Sequence, residues 1–419
     1  MSALAAQGDG VAETADGRRL FIPFTVPGDD IDVLIGPARG DGYEARPRTF
    51  AVRAPRGEAF CRYFETCGGC AVQHLTDDDY RAWKQGILVQ ALSRRGLSPE
   101  VLDLAAVPRQ SRRRVTFQAE RGDQGVVLGF AERRGHRIVD IDGCPLLVPG
   151  LNDMIPRLRE LAGAMLQPGE RARLAVARTE GPDGPALDLV VERDREPDLA
   201  AREALATFAG KSGAARVSWR DGAGAVEPIA HVSPVTAGFG PASVDLPPGG
   251  FMQPTAAGED ILRQAVLDGA EGAQRIAELY AGAGTFTFAL AARCRVHAVD
   301  SDDALTRALS TGAGRSGLGG RVTAETRDLA ARPLLPGEFK EIDTVILDPP
   351  RAGALRQVEQ IVQAPDVRRV VMVSCNPQTF ARDVRVLIDG GFSLGSVLPV
   401  DQFPYSHHLE CVAVLKRGG

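Results

Sequence analysis

Two short runs near the C-terminus constrain the chain more than any other part of it. They are Asp343-Thr-Val-Ile-Leu-Asp-Pro-Pro-Arg351 and Val370-Val-Met-Val-Ser-Cys-Asn-Pro-Gln-Thr-Phe-Ala-Arg-Asp383. Each opens with consecutive apolar, mostly β-branched residues, the pattern of a strand buried on both faces of a parallel sheet. Each stops at proline, which has no N–H for a ladder and keeps its predecessor out of helix. An open parallel sheet binds ligands just beyond the carboxyl ends of its strands. Asp348 and Cys375 should therefore lie side by side at one sheet edge, above a common crevice. One is a carboxylate and the other a thiol that could serve as a nucleophile.

Upstream, Arg275-Ile-Ala-Glu-Leu-Tyr-Ala-Gly-Ala-Gly-Thr-Phe-Thr-Phe-Ala-Leu-Ala291 reads as strand, glycine loop and helix. Gly282 and Gly284 let backbone approach a ligand. Thr287 stands where a dinucleotide fingerprint needs its third glycine, which disfavours NAD and leaves another adenosine cofactor. The next strand, Arg295 to Asp300, ends in a carboxylate placed to bind ribose hydroxyls. The strand from Arg321 ends at Asp328, which can reach the adenine region. A helix from about Ala256 to Leu267 precedes this half. Glu410 stands at the start of a terminal strand, with Cys411 facing the opposite side and expected in the core.

The strings Asp-Pro-Pro-Arg-Ala-Gly and Ser-Cys-Asn-Pro-x-Thr-x-Ala-Arg-Asp resemble the two signature motifs of the S-adenosylmethionine-dependent RNA uracil-5-methyltransferases. The resemblance implies a Rossmann-like class I methyltransferase domain over residues 249–419. It implies Cys375 as covalent nucleophile and Glu410 as base. By motif position it implies Gln253, Tyr280, Asp300 and Asp348 as cofactor contacts, with Asp328 as a further one. The family usually has Glu where Asp300 stands and often Asn where Thr285 stands, so Thr285 is not carried over as a contact. The chemistry suits these residues. Uracil C5 is a poor nucleophile until a thiolate adds at C6, and a base must then take the C5 proton so that sulfur can leave. A helix beginning near Gln378 is expected to favour the thiolate of Cys375, and His408 could orient Glu410.

Cys61, Cys67 and Cys70, with Cys144 far downstream, form a set that could hold zinc or an iron–sulfur cluster. Structural zinc usually has two paired Cys-x-x-Cys arms, and only one pair exists here. The string from Cys61 to His74 resembles the [4Fe–4S] segment of the same family, and zinc remains the competing occupant. Residues 1–54, with closely spaced turn signals, read as a small OB-like β-barrel or a generic β cap. Their Gly-Asp-Gly-Val-Ala and Phe-Ile-Pro-Phe-Thr-Val-Pro-Gly-Asp strings resemble the TRAM domain of some family members. Residues 55–248 read as a β-rich middle domain holding the cysteines. Its aromatic-striped helix near 79–95 is expected to pack on the methyltransferase domain. A second helix is expected over residues 195–210, and loops or a short hairpin from Gly222 to Gly250.

At 419 residues the chain is too long for one ordinary core, and a composition of 44% hydrophobic and 25% charged residues suits a globular protein. No run is long and apolar enough to span a membrane. The N-terminal residues lack the basic and apolar regions of a signal peptide, so a cytoplasmic monomer is expected. The net charge is −5, yet basic runs such as Arg112-Arg113-Arg114 offer phosphate contacts or merely a solvated face. The combination of barrel and cluster most resembles the members that act on 23S rRNA. A tRNA uracil-5-methyltransferase and a non-catalytic RNA-binding Fe–S protein are the alternatives. A cytosine-5 enzyme would carry Pro-Cys after the fourth strand, and an adenine-N6 enzyme an aromatic after Asp-Pro-Pro. Arg351 fits neither.

Overall fold

The computed structural model describes residues 1–418. Strands β1 (Ala3–Leu4), β2 (Gly10–Glu13), β3 (Arg19–Ile22), β4 (Asp30–Arg39) and β5 (Gly42–Val52) form a sheet in the order β1-β2-β3-β5-β4. All its pairs are antiparallel except β3 beside β5. Its own buried apolar set is only Leu20, Ile22 and Ala45, too little for independent stability. It is instead tied to the rest of the chain. The wholly buried Asp9 pairs with Arg39 and also with Arg133 and Arg134 of a later loop, and Trp83 donates its indole N–H to the carbonyl of Ala5 at 2.9 Å.

Helix α1 (Asp77–Ser93) starts at Thr76, whose hydroxyl accepts from Asp79 N–H, and carries three aspartates in its first turn where they oppose the helix dipole. Its stripe of Tyr80, Trp83, Ile87, Leu88 and Leu92 is buried. Each aliphatic side chain so buried stabilises by about 1.5–3 kcal/mol. A two-residue strand, β6 (Ala105–Ala106), follows.

The middle of the chain forms a seven-stranded sheet from β7 (Arg114–Gly122), β8 (Gly125–Ala131), β9 (Ile138–Asp140), β10 (Arg171–Gly181), β11 (Gly184–Glu192), β12 (Arg216–Arg220) and β13 (Val226–His231). Helices α2 (Pro149–Asn152), α3 (Ile155–Met165) and α4 (Leu199–Ser212) interrupt it. Residues of α3 and α4 share one core with Phe117, Leu128, Leu174, Leu189 and Trp219 of the strands. Helix α4 starts later than the expected 195–210 span because Asp198 caps it, accepting from Ala201 N–H, and it ends at Gly213 in the left-handed region. The stretch 222–250 holds more regular structure than its glycines and prolines suggested. It contains β13, paired to β12, and the hairpin β14 (Thr236–Phe239) with β15 (Ala242–Asp245).

Helix α5 (Ala256–Gly269), capped by Thr255, leads into β16 (Arg275–Leu279), α6 (Thr287–Ala291), β17 (Arg295–Asp300), α7 (Asp303–Arg315), β18 (Val322–Thr326), β19 (Thr344–Leu347), α8 (Leu355–Val362), β20 (Arg369–Ser374), α9 (Pro377–Asp389), β21 (Phe392–Asp401) and β22 (Glu410–Arg417). The sheet order is β18-β17-β16-β19-β20-β22-β21-β6. Strand β22 runs antiparallel to both neighbours, and the other pairs are parallel. Val345, Ile346, Leu347 and Val370 to Val373 are fully buried, as two-sided burial of the signature strands requires. Strand order reverses between β16 and β19, so a crevice opens above their carboxyl ends. Helix α1 packs on α9, and its apolar stripe joins the core beneath this sheet. No helix among the described residues is long and apolar enough to cross a membrane.

Candidate active site

A cavity of about 700 Å³ lies at that crevice, and Gln253, Tyr280, Asp300, Asp328, Asp348, Cys375 and Glu410 all line it. Backbone register brings the last two together. Ser374 of β20 pairs with Cys411 of β22, so one step beyond, Cys375 stands opposite Glu410. Cross-strand neighbours share a face with Cβ atoms about 5 Å apart. Cys411 takes the opposite face, fully buried, its thiol against the carbonyl of Ser374 at 3.5 Å.

The two signature runs dock on each other. Asn376 Nδ2 donates to the carbonyl of Arg351 at 2.9 Å, Thr379 Oγ1 to the same carbonyl at 3.2 Å, and Arg382 Nη2 to the carbonyl of Ala352 at 2.9 Å. Asp383 accepts from Ala354 N–H at 2.6 Å. The polar residues after Cys375 therefore hold the Pro349-Pro350-Arg351 turn that follows Asp348. On the other side, Gln402 Nε2 donates to Gln253 Oε1 at 2.9 Å, and Gln253 Nε2 reaches Asp348 at 3.5 Å.

Several carboxylates of the cavity wall are buried. Burial, reinforced by Asp300, lifts Asp348 to about 7. Burial, with Asp348 adding and Arg351 opposing, lifts Glu410 to about 8. Behind them the wholly buried Glu278 is lifted to about 8, first by burial, with Asp348 and Asp300 adding. Burial and the charges of Glu410 and Asp348 push the Cys375 thiol up to about 11. This corrects one expectation. Cys375 does precede the N-terminus of α9, but burial and the charges of Glu410 and Asp348 outweigh the helix dipole.

On the cofactor side, Gly282 N–H donates to Asp300 Oδ2 at 2.8 Å, and Asp302 N–H to Oδ1 at 2.9 Å. Tyr280 sits at φ 66°, a strained left-handed backbone for an aromatic residue, and Gly282 and Gly284 at 56° and 99°. A Cβ on Gly284 would meet the Phe288 ring at 2.4 Å. The loop can thus lie flat only with glycine there. Asp328 Oδ1 accepts from Ala330 and Ala331 N–H, so that oxygen is already engaged. Thr285 is buried and does not line the cavity.

Cys61, Cys67, Cys70 and Cys144 line one neighbouring cavity of about 390 Å³, and the charges of Cys61, Cys67 and Cys144 bear on others of the set. Gly68 lets this loop press on the strand end: a Cβ there would come 2.9 Å from the carbonyl oxygen of Ala131. Among the described residues no three His, Cys, Asp or Glu side chains are placed to hold a single metal ion. Arg112, Arg351, Phe403 and His408 line both cavities.

Two further expectations are corrected. His408 does not orient Glu410. Its ring accepts from Arg351 Nη2 at 3.0 Å, and burial, with His407 and Arg351, pushes its pKa down to about 3. Within the run Arg112-Arg113-Arg114, Arg113 is neither a free phosphate contact nor part of a solvated face. Arg113 is buried and paired to Glu259 at 2.5 Å, and Arg114 donates to the carbonyl of Met252 at 2.8 Å. Sequence reasoning also missed Lys84. This wholly buried lysine donates to Asp401 at 2.7 Å and to the carbonyls of Phe403 and His408 at 3.2 and 2.6 Å. It thereby ties α1 to the loop that leads into Glu410. The available signal was its place on the apolar stripe, four residues after Tyr80.

The sheet order, the glycine loop after the first parallel strand and the carboxylate ending the second together define a class I S-adenosylmethionine-dependent methyltransferase. The model of the tRNA (uracil-5-)-methyltransferase family matches residues 337–418. An RNA methyltransferase of Caulobacter vibrioides is 41% identical, covering 100% of this chain and 99% of its own. A 23S rRNA (uracil(1939)-C(5))-methyltransferase of Halomonas elongata is 31% identical over 99% of this chain and 88% of its own. The chain therefore belongs to the RNA uracil-5-methyltransferase family. The solved structure of a Pyrococcus abyssi tRNA (uracil-54, C5)-methyltransferase bound to S-adenosyl-L-homocysteine shares the fold, with a TM-score of 0.76, 24% identity and 99% coverage of both chains.

Proposed function

We propose that this RNA uracil-5-methyltransferase acts on 23S rRNA in the cytoplasm through a covalent adduct between Cys375 and uracil C6. The observation that carries the mechanism is the juxtaposition of Cys375 and Glu410 in one buried cavity that also contains Asp348. When bound, S-adenosylmethionine supplies the electrophilic methyl group. Asp300 would hold the ribose hydroxyls, with Tyr280 and Asp328 as further cofactor contacts. Gln253, braced by Gln402, and Asp348 would be further cofactor contacts, with Asp348 acting on the Cys375 thiol. Cys375 adds to C6, which makes C5 nucleophilic. Glu410 accepts the C5 proton after methylation and lets the thiolate leave.

A uridine can reach this depth only if flipped from its stack. Phe251, half exposed at the cavity rim beneath the Arg114 guanidinium, offers a stacking surface for a neighbouring base. The N-terminal sheet, of order β1-β2-β3-β5-β4, would serve as a TRAM-like module, with the exposed Arg46 and Arg48 available to flanking phosphates. We assign residues 1–54, 55–248 and 249–419 to that module, the middle domain and the methyltransferase domain.

Cys61, Cys67, Cys70 and Cys144 would hold a [4Fe–4S] cluster. Four thiols arranged around a cavity, rather than converged on a point, suit a polynuclear group whose own atoms fill the centre. Its role would be structural, tying the cysteine loop to the middle sheet. The 23S rRNA assignment rests on the Halomonas relative and on the accompanying cysteine set. Mapping 5-methyluridine in 23S rRNA and tRNA from cells with and without the protein tests it. Loss of a single 23S site is expected, and loss confined to tRNA would replace rRNA with tRNA as the substrate.

A further inference from the structure

The cavity around Cys375 and Glu410 is poorly balanced in charge. Asp348, which follows β19, acts on both members of the pair, and Asp300 at the end of β17 acts in turn on Asp348, with the buried Glu278 of β16 behind them. Arg351 is the cation that acts on both Glu410 and Cys375, and its guanidinium is turned toward the His408 ring. Arg112, Arg114 and Arg327 also line the cavity, and Arg327 is paired with Glu325 and Glu338. Arg114 is spent on the carbonyl of Met252, and Arg112 lies over the Phe403 ring. His408 is held neutral as an acceptor. Among the described residues the Asp348 carboxylate accepts a side-chain hydrogen bond from the neutral amide of Gln253, at 3.5 Å. Glu410 is buried with no hydrogen bond to its carboxylate from the described residues.

We infer that the fixed positive charge of the S-adenosylmethionine sulfonium supplies the counter-charge this wall lacks, so that cofactor binding drives one proton from the Cys375–Glu410 pair into solvent. The inference rests on the proposed roles of those two residues. It adds that the pair is primed by the cofactor's charge rather than by the protein alone. Before binding, the thiol and the carboxylic acid hold two protons between them. Afterwards they share one, and the other is taken up by buffer. The proton belongs to the pair, because two groups this close titrate as one system. The spent cofactor, a neutral thioether of nearly the same shape, no longer supports the deprotonated pair. Reprotonation then favours its release, and substrate is distinguished from product cofactor by charge.

Linkage gives the test. If binding releases a proton, affinity for S-adenosylmethionine rises with pH, approaching about tenfold per unit where release is complete. Affinity for S-adenosyl-L-homocysteine stays flat by comparison. The sulfonium lowers the pKa of the ligand's own amino group, and the comparison of wild type with Glu410→Gln removes that ligand contribution. Titration calorimetry of the full protein from pH 6 to 9, in two buffers of different ionisation enthalpy, reads both the slope and the proton count. Sinefungin, which carries an amine near the sulfonium position, should follow S-adenosylmethionine. Glu410→Gln should bind S-adenosyl-L-homocysteine normally and lose the pH slope for S-adenosylmethionine. Equal slopes for the charged and neutral ligands would overturn the inference. So would an undiminished slope in Glu410→Gln, which would place the proton elsewhere, on Asp348 for example. Neither result would touch the covalent role of Cys375, which is tested by adduct formation with RNA.

Discussion

Gly353 shows at the scale of one residue how the second signature run supports the first. Its φ is 78°, and a Cβ would come 2.5 Å from Arg382 Nη2 and 2.6 Å from Asp383 Oδ2. Gly353→Ala is expected to cost about 2 kcal/mol, from left-handed strain and the displaced contacts, and to lower turnover by shifting Arg351. An unchanged melting temperature would show that Arg382 moves aside freely. Glu278 gives a pH prediction. Its carboxyl is lifted to about 8 from 4.5, so the folded chain holds this proton more tightly than the unfolded chain. Relative to Glu278→Gln, wild type should keep its stability below pH 4.5, lose it progressively up to about pH 8, and then run parallel. Urea midpoints of both proteins from pH 4 to 9 check this, and curves parallel throughout would contradict it. Residue identities at the site were legible because Asp348, Cys375 and Glu410 stand at strand ends, where a two-residue period fixes the face. Their ionisation was not legible, because it depends on burial and on carboxylates brought in by β16 and β17.

Among the elements, α1 carries the clearest lesson. Helical spacing identified its apolar stripe, but Lys84 lies on the same face and was passed over, since its partner Asp401 is far away in sequence. Removing one member of a buried pair leaves the other charge uncompensated, at a cost of about 3–5 kcal/mol. Lys84→Met is expected to destabilise by that amount, measured by denaturant unfolding. Lys84→Met combined with Asp401→Leu should recover most of it. A loss below about 1 kcal/mol for the single variant would place the pair in water. Arg113 was misread for the same reason. Its strand looked basic and exposed until Glu259 of α5 met it. The small strand β6 gave no signal at all, because two alanines become a strand only when β21 supplies the edge to pair with.

For the molecule as a whole, the parallel sheet and its crevice were readable, since buried β-branched runs ending at proline or glycine leave few alternatives. The sharing of Arg112, Arg351, Phe403 and His408 by the cysteine cavity and the catalytic cavity was not, because it arises from three distant segments. That sharing predicts how cluster loss is felt. Anaerobically purified protein should carry about four irons with matching sulfide, whereas stoichiometric zinc without sulfide would contradict the cluster assignment. The central claim is that Cys375 forms the bond to RNA and Glu410 enables its breakage. A denaturing gel of protein incubated with RNA and methyl-labelled S-adenosylmethionine tests it directly. Cys375→Ala should give no adduct and no methylation. Glu410→Gln should accumulate a slow-migrating protein–RNA species that carries the methyl label. Normal turnover by Glu410→Gln, or an adduct formed by Cys375→Ala, would contradict the account.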